Sequence, residues 1–394
     1  MHFYLHIPFC AGFCSYCDFY SVKRLSLRER YVEALCREIT TCKESERGTA
    51  TTVYIGGGTP SVLSVALLER VICTLKSAFP FTEPEEFTIE VNPDDITAEY
   101  ASGLKSIGAD RISMGVQSFD NEALRWMNRR HTAEQALKAY SLLRKSGFKN
   151  ISVDLIFGYS MLTDEMWLEN LRRIVTLQPE HISAYQMSLE PGSLLSSMAR
   201  KGEAVLHSPQ RCERQYRMLQ EYLSSHGYLQ YEISNFAKRG RNGEYKKALH
   251  NSAYWSGKPY RGFGPGAHSY SGILYDKSSI HALRSWNFPL IKRYCSHFLS
   301  APEYGENHDM RPICGSETLG SKEIFNETIM LRLRTCDGLN LNLLNETDSR
   351  LYEKFRIEMG RHLKMGNLVM EGDKIKIPSE KLFISDGIIR DLFI

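Results

Sequence analysis

The spacing of apolar and polar positions divides the chain into two unlike halves. In the first half, short apolar runs are each stopped by Gly or Pro. They are 3–7 before Pro8, 52–55 before Gly56-Gly57-Gly58, 86–91 before Asn92-Pro93, 111–114 before Gly115, 151–156 before Gly158, and 181–187 near Pro191-Gly192. Runs of this length with such stops predict strands. Residues 27–41, 64–78, 97–107, 132–146 and 164–177 carry a helical period instead, several opening on a capping residue: Ser64, Thr97, Thr132 or Asp164. Six strand–helix units over roughly the first 200 residues predict an α/β fold with a parallel sheet. That is two units short of a closed eight-stranded barrel, so the expected form is an open or partial (β/α)6 barrel, or a doubly wound sheet.

The rhythm then changes. Residues 228–270 are rich in Gly, Tyr and basic side chains and have little helical period, which predicts hairpins and loops. From about Ser316 the helical period returns, and 370–378 (MEGDKIKIP) reads as a small hairpin. A helix, helix, hairpin order predicts a small, helical, winged-helix-like C-terminal domain. The expected division is 1–225 for the partial barrel, 226–315 for a β-rich loop region and 316–394 for the C-terminal domain. At ~150 residues per domain, 394 residues accommodate this.

Composition narrows the function classes. With 42% hydrophobic and 24% charged residues the chain is an ordinary globular protein. A net charge of +3 gives no bulk electrostatic case for nucleic acid or for an anionic membrane surface. The start, MHFYLHIPFC, has neither the basic nor the apolar region of a secretory signal, and no apolar run reaches the ~18 residues of a membrane span. The expected compartment is the cytosol, where thiols stay reduced.

Ten cysteines are few for this length, but Cys10, Cys14 and Cys17 stand together as C-x3-C-x2-C in HIPFCAGFCSYCDF. Thiolates bind soft metals and iron–sulfur clusters. One loop with this spacing can wrap three corners of a [4Fe–4S] cube and leave the fourth iron open. The competing readings are three buried thiols, or a zinc site short of its fourth ligand, with His6 nearby but inside a strand end. Cys36, Cys42, Cys73, Cys212, Cys295, Cys314 and Cys336 are scattered and read as small buried hydrophobes.

C-x3-C-x2-C directly after a first strand, with Tyr16 before the last cysteine, resembles the radical S-adenosylmethionine superfamily. The resemblance implies that the open iron binds the amino and carboxylate groups of S-adenosylmethionine, and that an electron from the cluster cleaves its sulfonium. It also implies that Tyr4, Tyr16, Gly57, Gly58, Thr59, Glu90, Gln117, Arg129 and Asp154 bind this cofactor. Independently, Glu90, Gln117 and Asp154 fall at or near the C-terminal ends of successive strands, where such barrels assemble their sites. Taken singly, each also reads as an ordinary polar group or, for the glycines, a tight turn.

HIPFC, YIGGGTPS, GVQSF and SVDLIFG resemble the oxygen-independent coproporphyrinogen III oxidase family over nearly the whole chain. The oxidases of that family decarboxylate porphyrinogen propionates; a related branch carries heme. The oxidase pattern has a further cysteine two residues after the third, where this chain has Phe19. It also has a longer segment before the first cysteine than the nine residues here. His250-Asn251-Ser252-Ala253-Tyr254-Trp255 matches the HNxxYW motif of the heme-carrying branch, which implies heme binding by His250. On the residues alone His250 also reads as a structural histidine, and His268 is a rival ligand. The expectation is a heme chaperone with a [4Fe–4S] cluster, S-adenosylmethionine and bound heme. It would deliver heme to respiratory acceptors at the membrane, with homodimerisation implied by the family alone. The alternative is the oxidase.

Overall fold

A computed structural model describes residues 1–42, 50–79, 83–240, 242–276, 279–299 and 313–394. Six parallel strands follow one another in space as in sequence: β1 (His2–Ile7), β2 (Thr52–Gly57), β3 (Glu86–Val91), β4 (Arg111–Gln117), β5 (Asn150–Phe157) and β6 (His181–Gln186). Helices connect them, as right-handed parallel crossovers require. At the β6 edge the hairpin β7 (Tyr228–Gln230) and β8 (Asn235–Lys238) pairs antiparallel. At the β1 edge β9 (Tyr260–Phe263) adds in parallel, and β10 (His268–Tyr275), β11 (Ile280–Asn287) and β12 (Cys314–Leu319) continue antiparallel. The result is one open sheet of twelve strands.

The parallel strands have two unlike faces. Phe3, Leu5, Ile7, Val53, Ile55 and Ile89 point to the helix side, where they join Tyr31, Leu35 and Leu68 in a single core. The alternate residues are polar or aromatic and lie in register: Tyr4 beside Tyr54, Thr88 beside Arg111, Asp154 beside Ser183. A parallel strand is usually apolar on both faces. A polar second face over β2 to β6 marks the concave side as a site.

Helix starts follow local capping chemistry. Ser64 Oγ accepts from Leu67 N, Thr97 Oγ1 from Tyr100 N, and Thr132 forms a capping box with Gln135. Before the fifth expected helix the cap is Thr163 and not Asp164, because the hydroxyl of Thr163 reaches Met166 N (3.1 Å). A second core, built on Phe325, Ile329, Leu344, Phe355 and Ile388, holds the helices Ser321–Leu333, Leu341–Thr347, Ser349–Lys364 and Ser385–Asp391. Against them lies a small sheet of β13 (Leu339–Asn340), β14 (Val369–Glu371) and β15 (Lys374–Lys376), with the expected hairpin between the last two.

Four expectations need correction. Helix Leu249–Trp255 crosses the segment read as hairpins and loops. Strand β4 runs past Gly115 to Gln117, because Gly115 is there for room and not as a stop: a Cβ on it would meet Gln117 Nε2 at 2.9 Å and Arg129 Nη2 at 3.3 Å. Residues 316–319 are strand, held by antiparallel pairing with β11. Cys73 and Cys314 are exposed, unlike the buried Cys36, Cys212 and Cys295, since one sits on the outer side of a helix and the other begins an edge strand. Residues 300–312, within the expected 226–315 region, lie outside the described residues.

Leu5 is fully buried on β1, the strand that leads into the cysteine loop. Leu5→Ala is expected to lower stability by about 2–5 kcal/mol in urea unfolding. A loss under about 1 kcal/mol would mean that this strand is not held by the core described.

Candidate functional site

The cysteine loop leaves the end of β1 and is closed at its neck by two backbone bonds, Cys10 N to Val22 O (3.1 Å) and Val22 N to Pro8 O (2.8 Å). Two other segments, at Met127-Asn128 and at Leu195, hold its tip. Ser15 N donates to Met127 O, Asn128 Nδ2 to Phe13 O, and Leu195 N to Ser15 O. These bonds tie the loop to the surrounding fold.

The glycines after β2 pack against this loop. Gly58 N donates to Ile7 O and Thr59 N to Phe9 O. A Cβ on Gly58 would lie 2.6 Å from Phe9 O and 3.1 Å from Cys10 Sγ. Gly57 has φ +113°, a conformation that favours glycine, and a Cβ there would strike the His6 ring at 2.7 Å. The hydroxyl of Thr59 lies 3.4 Å from Cys10 Sγ.

Arg129 ties the loop to the strand ends. Its guanidinium donates to Cys14 Sγ (3.2 Å), to Gly115 O (2.7 Å) and to Asn92 Oδ1. Burial opposes its charge, but Tyr16, Cys14 and Asp94 more than offset this and hold it cationic. Burial pushes the Cys17 thiol up to about 11, so a thiolate there needs a cation such as iron to stabilise it. Glu90 accepts from Tyr54 OH (2.7 Å) and Gly57 N (3.1 Å), yet burial raises its pKa to about 7. Burial likewise raises Asp154 to about 6, against the pull of Ser183, Arg111 and Ser113.

These groups face one cleft of about 620 Å³. It brings together Cys10, Cys14 and Cys17 at one end and Gly57, Gly58 and Thr59 beside them. Glu90, Gln117, Arg129 and Asp154 line it too, as does Tyr16. Gln117 is held at φ +67°, and its buried Oε1 has no hydrogen-bond partner among the described residues. A strained residue with an orphaned acceptor in a cleft is the mark of a ligand position.

Two expected residues lie elsewhere. Tyr4 faces a neighbouring cavity, with its hydroxyl 3.0 Å from His6 Nδ1. His250 is 1% exposed and both ring nitrogens are engaged, Nδ1 with Thr52 Oγ1 (2.7 Å) and Nε2 with Tyr254 OH (2.8 Å). Burial lowers its pKa to about 3, so it stays neutral. The next residue, Asn251, reaches the cleft. Sequence reading missed Asn92, Arg111, Ser113, Ser183 and Tyr185, all of which line the cleft. Four of them sit on the polar face of their strands, so period-two alternation in RISMG and HISAY was the available signal.

The Radical SAM superfamily profile matches residues 4–174. The heme chaperone HemW of Bacillus subtilis is 36% identical over 273 residues, covering 68% of this chain and 70% of that protein. The chain belongs to the HemW family. The Escherichia coli HemW is 33% identical across 67% of this chain and 68% of its own, and the Mycobacterium tuberculosis HemW 29% identical across 99% and 94%. Among solved structures, the E. coli coproporphyrinogen III oxidase HemN superposes with a TM-score of 0.80 at 22% identity, over 99% of this chain and 89% of that one. That likeness shows the fold.

As a radical SAM family, HemW implies a [4Fe–4S] cluster and S-adenosylmethionine, and the residues present fit both. Three thiols share one end of the cleft, and the polar strand ends with the orphaned Gln117 acceptor face them. A single zinc ion needs its ligands to converge at ~2.0–2.3 Å. No three His, Cys, Asp or Glu side chains among the described residues converge in that way. A cube binds each thiolate at a separate corner and has no such need.

Gly58→Ala is expected to fold but to incorporate less iron on anaerobic reconstitution, read by iron and sulfide assay. Wild-type iron content would show that the glycine–cysteine contact is not needed. Glu90 gives a pH prediction. Its pKa is raised from 4.5 in the unfolded chain to about 7, so the folded protein holds the extra proton between those values. Its ionisation therefore erodes stability as pH rises through that window, and the full cost is present above pH 7. Glu90→Gln lacks that cost. Its stability relative to wild type, in the metal-free protein, is expected to rise by on the order of 3 kcal/mol between pH 4.5 and 7 and then level off. A difference independent of pH would contradict the buried-carboxyl assignment.

Proposed function

We propose that this chain carries heme, with a [4Fe–4S] cluster held by Cys10, Cys14 and Cys17 and S-adenosylmethionine bound across Gly57, Gly58, Thr59, Glu90, Gln117, Arg129 and Asp154. The observation that carries this reading is identity above 30% to proteins named heme chaperones over two thirds of both chains. The likeness to HemN is one of fold, and a fold hosts many activities. Phe19 adds local support. Where the oxidase pattern has a further cysteine, this chain has a phenylalanine that is 68% exposed.

The cluster would supply one electron to the sulfonium of S-adenosylmethionine. The chain's own groups do the rest. Arg129 holds the loop and the strand ends in one geometry, and the hydroxyl of Tyr54 fixes the Glu90 carboxyl. Glu90 and Asp154 present acceptors to ribose hydroxyls, as acidic residues do in nucleotide sites. Delivery of heme to respiratory acceptors at the membrane is part of the proposal. No helix among the described residues is long and apolar enough to cross a membrane.

Anaerobic reconstitution is expected to give about four irons per chain. Cys14→Ala should lose them. With coproporphyrinogen III and a reductant, no decarboxylated product should accumulate, while hemin binds saturably. Clear turnover of the porphyrinogen would overturn the carrier reading in favour of the oxidase.

A further inference from the structure

A second cavity of about 520 Å³ lies beyond β1, between β9, β10 and the helix Ser321–Leu333. Its size suits a bound organic cofactor; such sites span ~300–1,000 Å³. Tyr254, Tyr260 and Tyr270 form an aromatic wall, with Tyr254 and Tyr260 edge to face at 4.5 Å and Tyr260 and Tyr270 at 6.1 Å. Met330 and Leu331 supply apolar surface from the helix. Flat apolar ligands are held by such walls.

Three histidines come near this space, and their nitrogens differ. His6 is used twice, by Tyr4 OH (3.0 Å) and Tyr20 O (2.9 Å). His250 is used twice, as described above. His268 lines the cavity, is exposed, and has no hydrogen-bond partner among the described residues. Its ring is instead steadied by stacking on Trp286 at 5.9 Å, its register partner on β11. Burial and the nearby Arg284 lower its pKa, which keeps the imidazole neutral and able to bind a metal.

The position of His268 is built, not incidental. The buried carboxylate of Glu38 accepts from Gly264 N (2.8 Å) and Asn287 Nδ2 (2.6 Å). It thereby fixes the Gly264-Pro265-Gly266 turn that sends β10 back over β9. A Cβ on Gly262 would fall 2.2 Å from His268 O, so only glycine permits this close approach of β9 and β10. Two cations line the cavity. Arg284 is already paired with Glu317 and Glu327, whereas the exposed Lys258 has no acidic partner among the described residues and is the one left for a carboxylate.

Resting on the heme-carrier reading, we propose that heme occupies this cavity, its iron ligated by His268 and its ring packed on Tyr254, Tyr260 and Tyr270. The HNxxYW motif then contributes through Tyr254, which His250 orients, and not through a bond from His250 to iron.

The test is titration of the full-length, reconstituted protein with ferric hemin, followed in the Soret band. His268→Ala is expected to shift the band and weaken binding by roughly tenfold or more. Added imidazole should restore the wild-type band, and the cluster absorption should be unchanged. Metal-free protoporphyrin IX should bind wild type and His268→Ala equally, since only the iron bond is lost. Leu331→Trp, which fills the cavity, should abolish hemin binding while iron content stays normal. An unchanged band and affinity in His268→Ala, equal loss of the metal-free porphyrin, or normal hemin binding by a folded Leu331→Trp would each overturn the assignment. Failure of the wild-type protein to bind hemin saturably would instead overturn the carrier reading itself.

Discussion

The buried carboxylate of Glu86 joins the parallel sheet to the segment packed on its concave face. It faces Arg111 at 3.8 Å, with both side chains almost fully buried. Its two oxygens also accept from Leu249 N (2.9 Å) and His250 N (3.0 Å), the first turn of the helix that carries the HNxxYW residues. An anion at a helix start satisfies donors that the helix itself cannot. Removing one partner of a buried pair leaves the other uncompensated, at a cost of about 3–5 kcal/mol. Asn251 in the first cleft and Tyr254 in the second cavity both depend on this one anchor.

The two faces of β1 to β6 divide stability from chemistry. The helix-facing residues make one apolar core, while the backbone ladder sets the strand spacing. With that spacing fixed, the concave face can hold charges such as Glu90, Arg111 and Asp154, whose burial would otherwise work against folding. Their offsets come from side chains on the adjacent strands. Ser113 and Ser183 serve Asp154, and Tyr54 serves Glu90. The charged groups of the site are thus partnered by the chain itself.

Legibility in the sequence followed locality. The six parallel strands were readable because Gly and Pro stop them, and most helix starts because their caps are adjacent in the chain. The cysteine loop was readable because all three thiols fall within eight residues. Helix Leu249–Trp255 was not, since its residue before the first turn is Ala248 and its cap comes from Glu86, more than 160 residues away. Gly115 misled for a related reason: it makes room for Arg129, a neighbour through space. The motif histidine looked like a ligand because its type and its motif suggested one. Its hydrogen bond to Thr52, a partner almost 200 residues away, was not legible because it depends on the fold.

Asp18 and Phe19, directly after Cys17, line both the first cleft and the second cavity. The loop that holds the three thiols is therefore a shared wall. If filling one side shifts that wall, the two occupants are thermodynamically linked, and the linkage is reciprocal: whatever factor one applies to the affinity of the other is returned unchanged.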